Sequence, residues 1–319
     1  MIRIDLLAKK DNWPGVIPPY CAWFEEAWRK AGGGVRKNPV PRLIRGCAMK
    51  LGVIGSSEKF RSKRKALFYF GSCYPDTGVF PFQNRYEIVP YLIDTWPEYW
   101  PRLFRFIKRN QTRLIFVSQS QMRPEIQTRF TGMQVFHIPE GVSISGYRNE
   151  KKLCNRVIDL LELGRRHSET HDRICRAKIK GLRVHIFQDG QLCFPNQEAL
   201  VDGLSETKIA ICWPQSFTHS EMSGRIETLT LRYWEMMLSR VVMMGKVPQE
   251  LVDLIGFNPV IDLAPEHAPQ QIEAVLAQIE SYQPMVDANY QAALKYGSWG
   301  VRIEKIQRIL NSNGYVMKQ

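Results

Sequence analysis

Short apolar segments alternate with amphipathic segments along most of the 319-residue chain. In the first half, apolar runs of strand length end at turn-forming or polar residues, which predicts buried strands. These predicted strands are 66–70, 88–93, 113–118 and 134–138. Apolar residues at helical spacing predict helices at 21–31 and 99–110. The first half is therefore expected to form a parallel sheet covered by helices.

The alternation continues after a polar and basic segment at 146–152, which we interpret as a domain linker. Further strands are predicted at 157–163, 182–188, 208–213 and 240–245. Further helices are predicted at 196–205, 248–255, 269–281, 288–296 and 299–311, and residues 214–226 are predicted to be a loop. Strands that alternate with helices predict a second parallel sheet, so the expected fold class is α/β.

Length and charge divide the chain in the same place. A chain of this length is expected to form two domains of roughly 150 residues. Residues 1–150 hold 24 Lys and Arg against 12 Asp and Glu, with one basic cluster at 59–65, whereas residues 151–319 hold 20 against 19. The basic first half is either a solvated surface or a surface for an anionic partner, such as a membrane, a nucleic acid or an acidic polymer.

Cysteines and hydropathy indicate the compartment. The seven cysteines include no Cys-x-x-Cys pair, which is typical of reduced thiols rather than of a disulfide framework. The first residues lack the apolar core of a signal peptide, and no run approaches the roughly 18 apolar residues of a membrane-spanning helix. We expect a cytoplasmic protein whose contact with a membrane, if it has one, is peripheral on the inner face.

Two glutamates, Glu227 and Glu235, stand eight positions apart where a loop leads into a predicted helix and then into an apolar strand. A helix start offers unpaired backbone N–H groups and the positive end of the helix dipole, which suit a phosphate. Carboxylates on either side can accept hydrogen bonds from ligand hydroxyls. The pattern predicts a site for a phosphate that carries sugars on both sides.

Other polar residues follow predicted strands, where ligands bind in open α/β sheets. Gly164, Arg165 and Arg166 follow the strand at 157–163, and an Arg fork matches phosphate oxygens, although a plain surface turn is the alternative. Asp94 follows the strand at 88–93 and could orient or deprotonate an acceptor hydroxyl, or it could cap the helix that begins near Trp96.

Three further features have both a functional and a structural interpretation. His167 and His171 have the spacing of a zinc-binding pair, but no third ligand is evident, so we predict a solvated helix face and no metal site. His219 lies in the loop before Glu227 and could reach the ligand or be an ordinary loop histidine. The aromatic and basic helix at 99–110 could contact a membrane or polyanion, or could bury its aromatic residues.

The segment Glu227-Thr228-Leu229-Thr230-Leu231-Arg232-Tyr233-Trp234-Glu235, with the apolar strand after it, resembles the donor site of GT-B glycosyltransferases, especially the retaining family 4. Gly164-Arg165 resembles the Gly-Arg that opens the donor domain of that family, and Tyr296–Arg302 resembles the start of its last helix. Tyr91–Trp96 and Ile138–Val142 resemble acceptor-domain elements more loosely, and Glu140 in the second segment would lie at the interdomain cleft or in a simple turn. The resemblance covers about 157–312 and is weak before 66.

The resemblance implies two Rossmann-like domains that face each other across a cleft. It places a basic acceptor-binding domain at 1–150, a nucleotide-sugar domain at 151–295, and a C-terminal helix at 296–319 that crosses back to the first domain. Catalysis would fall to Glu227, Arg165 and Asp94. The donor would contact Gly164, Arg166, His219, Gly224, Arg225, Thr228, Leu229, Thr230 and Glu235.

Individual roles also follow from the resemblance. Glu227 would hold hydroxyls of the donor sugar, and Glu235 those of the nucleotide ribose. The backbone of Leu229 and Thr230 would receive the pyrophosphate, and Arg165 would neutralise the departing diphosphate. No separate cofactor or metal is implied, and the chain has no Asp-x-Asp metal motif.

The chain departs from the family pattern at several positions. Thr230 stands where the family usually has Gly, and the usual Lys after Gly-Arg is missing. Arg166, Arg173 or Arg225 would have to replace that Lys. These departures suggest a divergent branch and leave the stereochemical outcome open, although the two glutamates favour retention.

Three functions remain open. The first is a glycosyltransferase that acts on a cell-surface glycan or glycolipid at an anionic membrane. The second is a DNA-modifying glucosyltransferase of the phage type, whose basic domain would contact phosphates. The third is a GT-B-like protein that binds nucleotide sugars without turnover. A plain Rossmann oxidoreductase is disfavoured, because no Gly-x-Gly-x-x-Gly follows a predicted strand.

Overall fold

The computed structural model describes residues 1–8, 19–50, 65–72, 78–188 and 192–317. The predicted basic cluster at 59–65 lies almost entirely outside these residues. The strands are β1 (Ile2–Leu7), β2 (Val35–Arg36), β3 (Lys65–Ser72), β4 (Glu87–Ile93), β5 (Leu114–Val117), β6 (Gln134–His137), β7 (Ile158–Glu162), β8 (His185–Phe187), β9 (Thr207–Cys212), β10 (Val242–Gly245), β11 (Val260–Asp262) and β12 (Tyr315–Met317).

The α-helices surround these strands on both halves of the chain. They are α1 (Tyr20–Lys30), α2 (Arg42–Lys50), α3 (Trp100–Asn110), α4 (Met122–Arg129), α5 (Ser168–Arg176), α6 (Gln197–Ser205), α7 (Gln215–Thr218), α8 (Ser220–Ser223), α9 (Leu231–Leu238), α10 (Gln249–Ile255), α11 (Ala268–Ala277), α12 (Gln283–Tyr296) and α13 (Trp299–Ser312).

The strands form two parallel sheets, as the alternation of strands and helices predicts. The first sheet has the order β12-β1-β3-β4-β5-β6, with β2 paired to β1, and the second has the order β11-β10-β9-β7-β8. In the register of the first sheet, Phe70 of β3 lies opposite Tyr91 of β4. All seven residues of β4 are buried, which explains why this strand reads as an almost continuous apolar run.

The end of the chain returns to the first sheet, as the resemblance implied. The Trp299 ring, at the start of α13, packs edge-on against Phe24 of α1, Phe70 of β3 and Tyr91 of β4. Beyond α13, β12 then pairs with β1, with Ile2 opposite Tyr315. The pattern of apolar residues predicts neither β1 nor β12, because each strand is short and its pairing partner lies at the other end of the chain.

The helix α9 fixes the second domain against the first. All residues from Tyr233 to Leu238 are buried in the core of the second domain. The indole N–H of Trp234 donates a hydrogen bond to the backbone oxygen of Glu140, which follows β6 in the first domain (3.1 Å). The start of α9 therefore lies where the two domains meet.

Two local predictions are wrong. The segment 214–226 is not an open loop, because α7 and α8 fill most of it. The His167–His171 pair is not a solvated helix face, since both residues are partly buried. His167 accepts a hydrogen bond from the backbone N–H of Thr170 and so caps α5, which begins one residue later.

The aromatic and basic segment predicted as a helix at 99–110 buries its aromatic residues, which is the structural one of its two interpretations. Phe106 of α3 is buried and Phe104 is partly buried, whereas Arg105 and Lys108 are exposed. Trp96 is also buried, just before this helix. The aromatic residues of this segment therefore contribute to the first-domain core and the basic residues face solvent.

Candidate functional site

A cleft of about 740 Å³ opens where the carboxyl ends of strands from both sheets meet. Its walls include residues that directly follow β4, β6, β7 and β8, together with the first residues of α9. This is the usual position of ligand sites in parallel α/β sheets. The two domains therefore both contribute to one cavity.

Most of the predicted charged residues line this cleft. The predicted residues in its wall are Asp94, Gly164, Arg165, Arg166, His219, Thr230 and Glu235. The wall does not include Gly224, Arg225, Glu227, Thr228 or Leu229. The cleft is also lined by Tyr20, His171 and Arg232, to which the sequence assigned no site role, and by Glu140, which the sequence placed either at the interdomain cleft or in a simple turn.

Gly164 is required by its conformation and by a close neighbour. Its φ is +76°, in the left-handed region that favours glycine. A Cβ atom at this position would lie 2.4 Å from Nη2 of Arg232. The turn after β7 therefore lets the guanidinium of Arg232 pass directly over the backbone.

Three arginines make one side of the cleft basic. Arg165 and Arg166 follow β7, and Arg232 lies in the first turn of α9. The guanidinium of Arg165 opens on the cleft, yet the surrounding protein removes part of its hydration. This burial and the charge of Arg232 lower the pKa of Arg165, against the opposing effect of Asp94. Such crowding of positive charge favours an anion in the cleft.

Arg166 is held by a buried network. Its Nη1 lies 2.9 Å from Nε2 of His171, and its guanidinium lies over the ring of Phe187 at 5.3 Å. The Glu162 carboxylate lies 2.8 Å from Nδ1 of His171 and 2.8 Å from Nε2 of His185. Because arginine can only donate, Nε2 of His171 accepts and its proton lies on Nδ1. This network gives Arg166 a fixed orientation toward the cleft.

Of the arginines that could replace the missing lysine, only Arg166 lines the cleft, and Arg232 lines it as well. By contrast, Arg173 pairs with Glu169 on the exposed face of α5 (3.0 Å), and Arg225 is exposed outside the cleft. Arg232 follows Thr230 by two residues, so its place in the first turn of the predicted helix was the signal that could have revealed it.

The start of α9 is already contacted by carboxyl groups. Thr230 is its N-cap residue, without a side-chain capping hydrogen bond. The backbone N–H of Leu229 donates to Oε2 of Glu250 at 3.1 Å, and the backbone N–H of Leu231 lies near the carboxyl group of Glu140 and lowers its pKa slightly. An anion that approaches this turn therefore meets two carboxyl groups as well as backbone donors.

Glu250 also joins the two domains. From α10 it accepts a hydrogen bond from the backbone N–H of Ser120 (2.5 Å), and it lies 3.5 Å from Nε2 of His137, both in the first domain. Burial raises the pKa of Glu250, but hydrogen bonds from His137 and Ser120 outweigh this effect and lower it. Glu250 is therefore an ionised bridge between the domains.

The first domain contributes two acidic side chains. Asp94 follows β4 with a φ of +54°, and burial raises its pKa while the charge of Arg165 opposes the change. It does not cap a helix, since Trp96 occupies the N-cap position of the next turn. Glu140 is 3% exposed, and burial together with the charge of Asp94 raises its pKa to about 8.

Glu235 lies at the opposite wall from these residues, within α9. It is 4% exposed, and the hydroxyl of Tyr147 donates to its Oε1 at 3.2 Å. Burial raises the pKa of Glu235 to about 7, although the charge of Arg232 opposes the rise. Its carboxyl group can accept hydrogen bonds from a ligand in the cleft.

Glu227 is half-buried beside the cleft rather than in its wall. Its backbone N–H donates to Oε1 of Gln121 in the first domain at 2.9 Å. Burial and the charge of Glu250 raise its pKa. Nearby, a Cβ atom on Gly224 would lie 3.5 Å from Cγ of Pro97. The turn before α9 therefore packs against the first domain.

The described residues contain neither a metal cluster nor a membrane-spanning helix. Among these parts of the chain, no cluster of three or more His, Cys, Asp or Glu side chains has the arrangement of a metal site. Within the same residues, no helix combines the length and apolar character needed to cross a membrane.

Known structures share this architecture at low sequence identity, whereas no protein-family model and no curated protein matches the chain. HepE of Anabaena, solved with UDP and glucose, has a TM-score of 0.62 and 12% identity, covering 98% of this chain and 100% of HepE. AviGT4, a glycosyltransferase involved in avilamycin A biosynthesis, has a TM-score of 0.56 and 14% identity, covering 98% of both chains. TarM has a TM-score of 0.54 and 10% identity, with coverage of 83% and 57%, so this chain spans little more than half of TarM.

These neighbours are GT-B glycosyltransferases. The present chain has the same two parallel α/β domains, with a cleft between them and a final helix that returns to the first domain. At such low identity the likeness establishes the fold, which is the GT-B fold that the motifs around Gly164 and Glu235 indicated.

Proposed function

We propose that this protein is a glycosyltransferase that moves a sugar from a nucleoside-diphosphate sugar to an acceptor hydroxyl. One observation carries the proposal: Arg165, Arg166 and Arg232 line one cleft together with Asp94, beside the start of α9. The basic side suits a diphosphate, and the acidic side suits a hydroxyl group.

Each wall has a defined part in the proposed reaction. Arg165 and Arg232 stabilise the negative charge that develops on the diphosphate as it leaves, and Arg166 binds it from the side. Glu235 accepts hydrogen bonds from the ribose. Asp94 orients the acceptor hydroxyl and can take its proton, because a buried carboxyl group with a raised pKa is a better base once ionised.

Two finer features belong to the same proposal. Transfer proceeds with retention, which the spacing of Glu227 and Glu235 supports through the family resemblance. It requires no metal, because the arginines supply the positive charge. Glu227 contacts the donor sugar only if the turn before α9 moves toward the cleft, since its side chain does not line the cavity.

A screen of nucleotides tests the donor. UDP, GDP, ADP and TDP, with their sugar conjugates, are compared for the rise in melting temperature they cause. We expect one diphosphate to stabilise the protein and its sugar conjugate to be slowly hydrolysed. Arg165→Ala and Arg232→Ala should each weaken the affinity for the diphosphate and slow the hydrolysis about tenfold or more, which lowers the rise in melting temperature, whereas Arg173→Ala should change neither. If no diphosphate raises the melting temperature and no sugar conjugate is hydrolysed, the proposal is refuted. Binding without hydrolysis or transfer would identify a binding protein.

We propose that the acceptor is a glycan or glycolipid at an anionic membrane surface. The excess positive charge lies in residues 1–150, and α2 in this region exposes 80% of Leu43 and 55% of Ile44. An exposed apolar pair among basic residues fits an anionic lipid surface, because electrostatic attraction and insertion of apolar side chains both contribute to the free energy of binding. The structural neighbour HepE was solved in complex with UDP-glucose, which supports a sugar nucleotide as the donor in this proposal.

Vesicle binding separates this acceptor from DNA. The protein should bind vesicles that contain anionic lipid, and Leu43→Ser with Ile44→Ser should weaken that binding about tenfold. The matched control is Val157→Ser, which also changes an exposed apolar residue but lies in the second domain (59% exposed). Salt-dependent DNA affinity without vesicle binding would instead favour a DNA glucosyltransferase.

A further inference from the structure

We propose that Glu140 is a further residue of the transfer site and donates a hydrogen bond, as a neutral carboxylic acid, to the diphosphate bound at the start of α9. This inference rests on the proposed function, because it requires a diphosphate at that position. It concerns a first-domain residue to which neither the patterning nor the family resemblance assigns a part in donor binding.

The position of Glu140 is set by donors from two elements. The hydroxyl of Tyr20, at the start of α1, donates to Oε2 of Glu140 at 2.7 Å. The backbone N–H of Leu231, the first residue of α9, lies near the same carboxyl group, and the indole N–H of Trp234 in α9 donates to the backbone oxygen of Glu140 at 3.1 Å. The side chain lines the cleft although the residue is only 3% exposed. The carboxyl group therefore occupies the helix start at which the diphosphate is expected.

The charges around Glu140 come from several elements. Asp94 after β4 and Glu250 on α10 place negative charge near it, whereas Arg165 after β7 places positive charge near it. Tyr20 and Tyr91 are neutral neighbours whose own pKa values are raised by burial. Burial is the largest effect, followed by Asp94, and together they raise the pKa of Glu140 to about 8. At neutral pH most molecules therefore carry a proton on this group.

A neutral carboxyl group suits this position better than an ionised one. It still accepts from the hydroxyl of Tyr20, and it gains one O–H donor for a phosphate oxygen. An ionised Glu140 would instead repel the diphosphate at close range. Diphosphate binding should accordingly raise the pKa of Glu140 further. Above neutral pH the protein then takes a proton from solvent on binding, and no bond of the sugar is involved.

Calorimetry measures this proton directly. The diphosphate that stabilises the protein in the nucleotide screen, with UDP tested first, is titrated at pH 8 in buffers of different ionisation enthalpy. We expect the wild type to take up about half a proton per bound diphosphate, because a group with a pKa near 8 is about half ionised there. The Glu140→Gln variant should take up about half a proton less than the wild type per bound diphosphate.

Two further variants separate this role from a structural one. Glu140→Gln retains an N–H donor, so its affinity at pH 7 should lie within about threefold of wild type, whereas Glu140→Ala should bind about tenfold more weakly. The exposed Glu98→Gln is the matched control and should keep the wild-type proton uptake.

The outcomes are distinct. Equal proton uptake by wild type and Glu140→Gln, or no uptake by either, overturns the inference while the proposed function stands. If none of UDP, GDP, ADP and TDP binds the wild type, the proposed function fails, and the role of Glu140 fails with it. A variant that is merely destabilised would lower the melting temperature but would leave proton uptake unchanged.

Discussion

The guanidinium of Arg232 lies directly over Gly164, so close that a Cβ atom on the glycine would approach Nη2 to 2.4 Å. This contact joins the turn after β7 to the first turn of α9. It brings the basic residues of two separate segments to one wall of the cleft. An extra atom at Gly164 would therefore change the position of Arg232 before it changed the fold.

Gly164→Ala should lower affinity for the nucleoside diphosphate about tenfold, because the end of Arg232 must move aside. The left-handed backbone should also cost about 1–2 kcal/mol of unfolding free energy. Gly132→Ala is the matched control, since Gly132 has a φ of +82° and open space around its Cβ position. The two variants should lose similar stability in urea unfolding, and only Gly164→Ala should lose affinity. A loss of affinity in both would show that the Arg232 contact is unimportant.

Glu250→Gln should weaken the junction between the domains. The carboxylate accepts from Ser120 and Leu229, so its loss should cost about 2–3 kcal/mol at pH 7. Because the pKa of Glu250 is lowered in the folded protein, its stabilising effect exists above about pH 4.5 and is lost as the pH falls further. Urea unfolding between pH 3.5 and pH 7 measures this difference, which the exposed Glu266→Gln should not show. A pH-independent difference would contradict the ionised bridge.

Glu235→Gln should stabilise the protein at alkaline pH while weakening nucleotide binding. Burial raises the pKa of Glu235 to about 7, so wild-type stability decreases as the pH rises from about 4.5 through 7. A neutral glutamine avoids this cost, so the variant should be more stable than wild type by about 2 kcal/mol at pH 8 and equal to it at pH 5. Melting temperatures of the wild type and the variant at pH 5 and pH 8 test this prediction. A variant that is less stable than wild type at pH 8 would show that Tyr147 and Arg232 compensate fully for the burial of Glu235.

His171→Asn should weaken nucleotide affinity through Arg166, although His171 belongs to a helix that the sequence alone placed in solvent. The expected loss is about three- to tenfold, because Arg166 loses the acceptor that orients it. In a double-mutant cycle with Arg166→Ala, the second substitution should add little to the first. The exposed His267→Asn serves as the control. Additive losses would mean that the two residues act independently.

Trp299→Ala should destabilise the first domain although it lies near the end of the chain. The ring contacts Phe24, Phe70 and Tyr91. Truncation of a buried aromatic side chain to alanine lowers the free energy of unfolding by about 3–5 kcal/mol. Val301→Ala, two residues later and 38% exposed, should change stability by less than about 0.5 kcal/mol. Urea unfolding of both variants tests whether α13 is part of the first-domain core.

Local patterning identified the central strands well. The runs at 66–70 and 88–93 became β3 and β4, because fully buried strands must be apolar on both faces. It missed β1 and β12, whose pairing joins residues about three hundred positions apart. A pattern of residues cannot reveal which distant segment supplies the hydrogen bonds of an edge strand.

Some residues of the cleft could likewise be identified from the sequence, and others could not. Gly164, Arg165 and Arg166 were identifiable because they directly follow a strand, and Glu235 because it lies in the predicted helix. Tyr20 had no local signal, and the sequence left Glu140 either at the interdomain cleft or in a simple turn. Their importance arises only when burial and neighbouring charges change the properties of the carboxyl group.

The sequence by itself therefore determined the parallel α/β architecture and the basic residues that follow β7, since strand periodicity and residues next to strand ends are local properties. The tertiary structure alone decided that Arg232 covers Gly164, that Glu250 bridges the domains, and that Glu140 is buried beside the start of α9. Those relationships depend on distances between segments far apart in the chain, and electrostatic interactions depend on such distances and on burial rather than on order along the sequence.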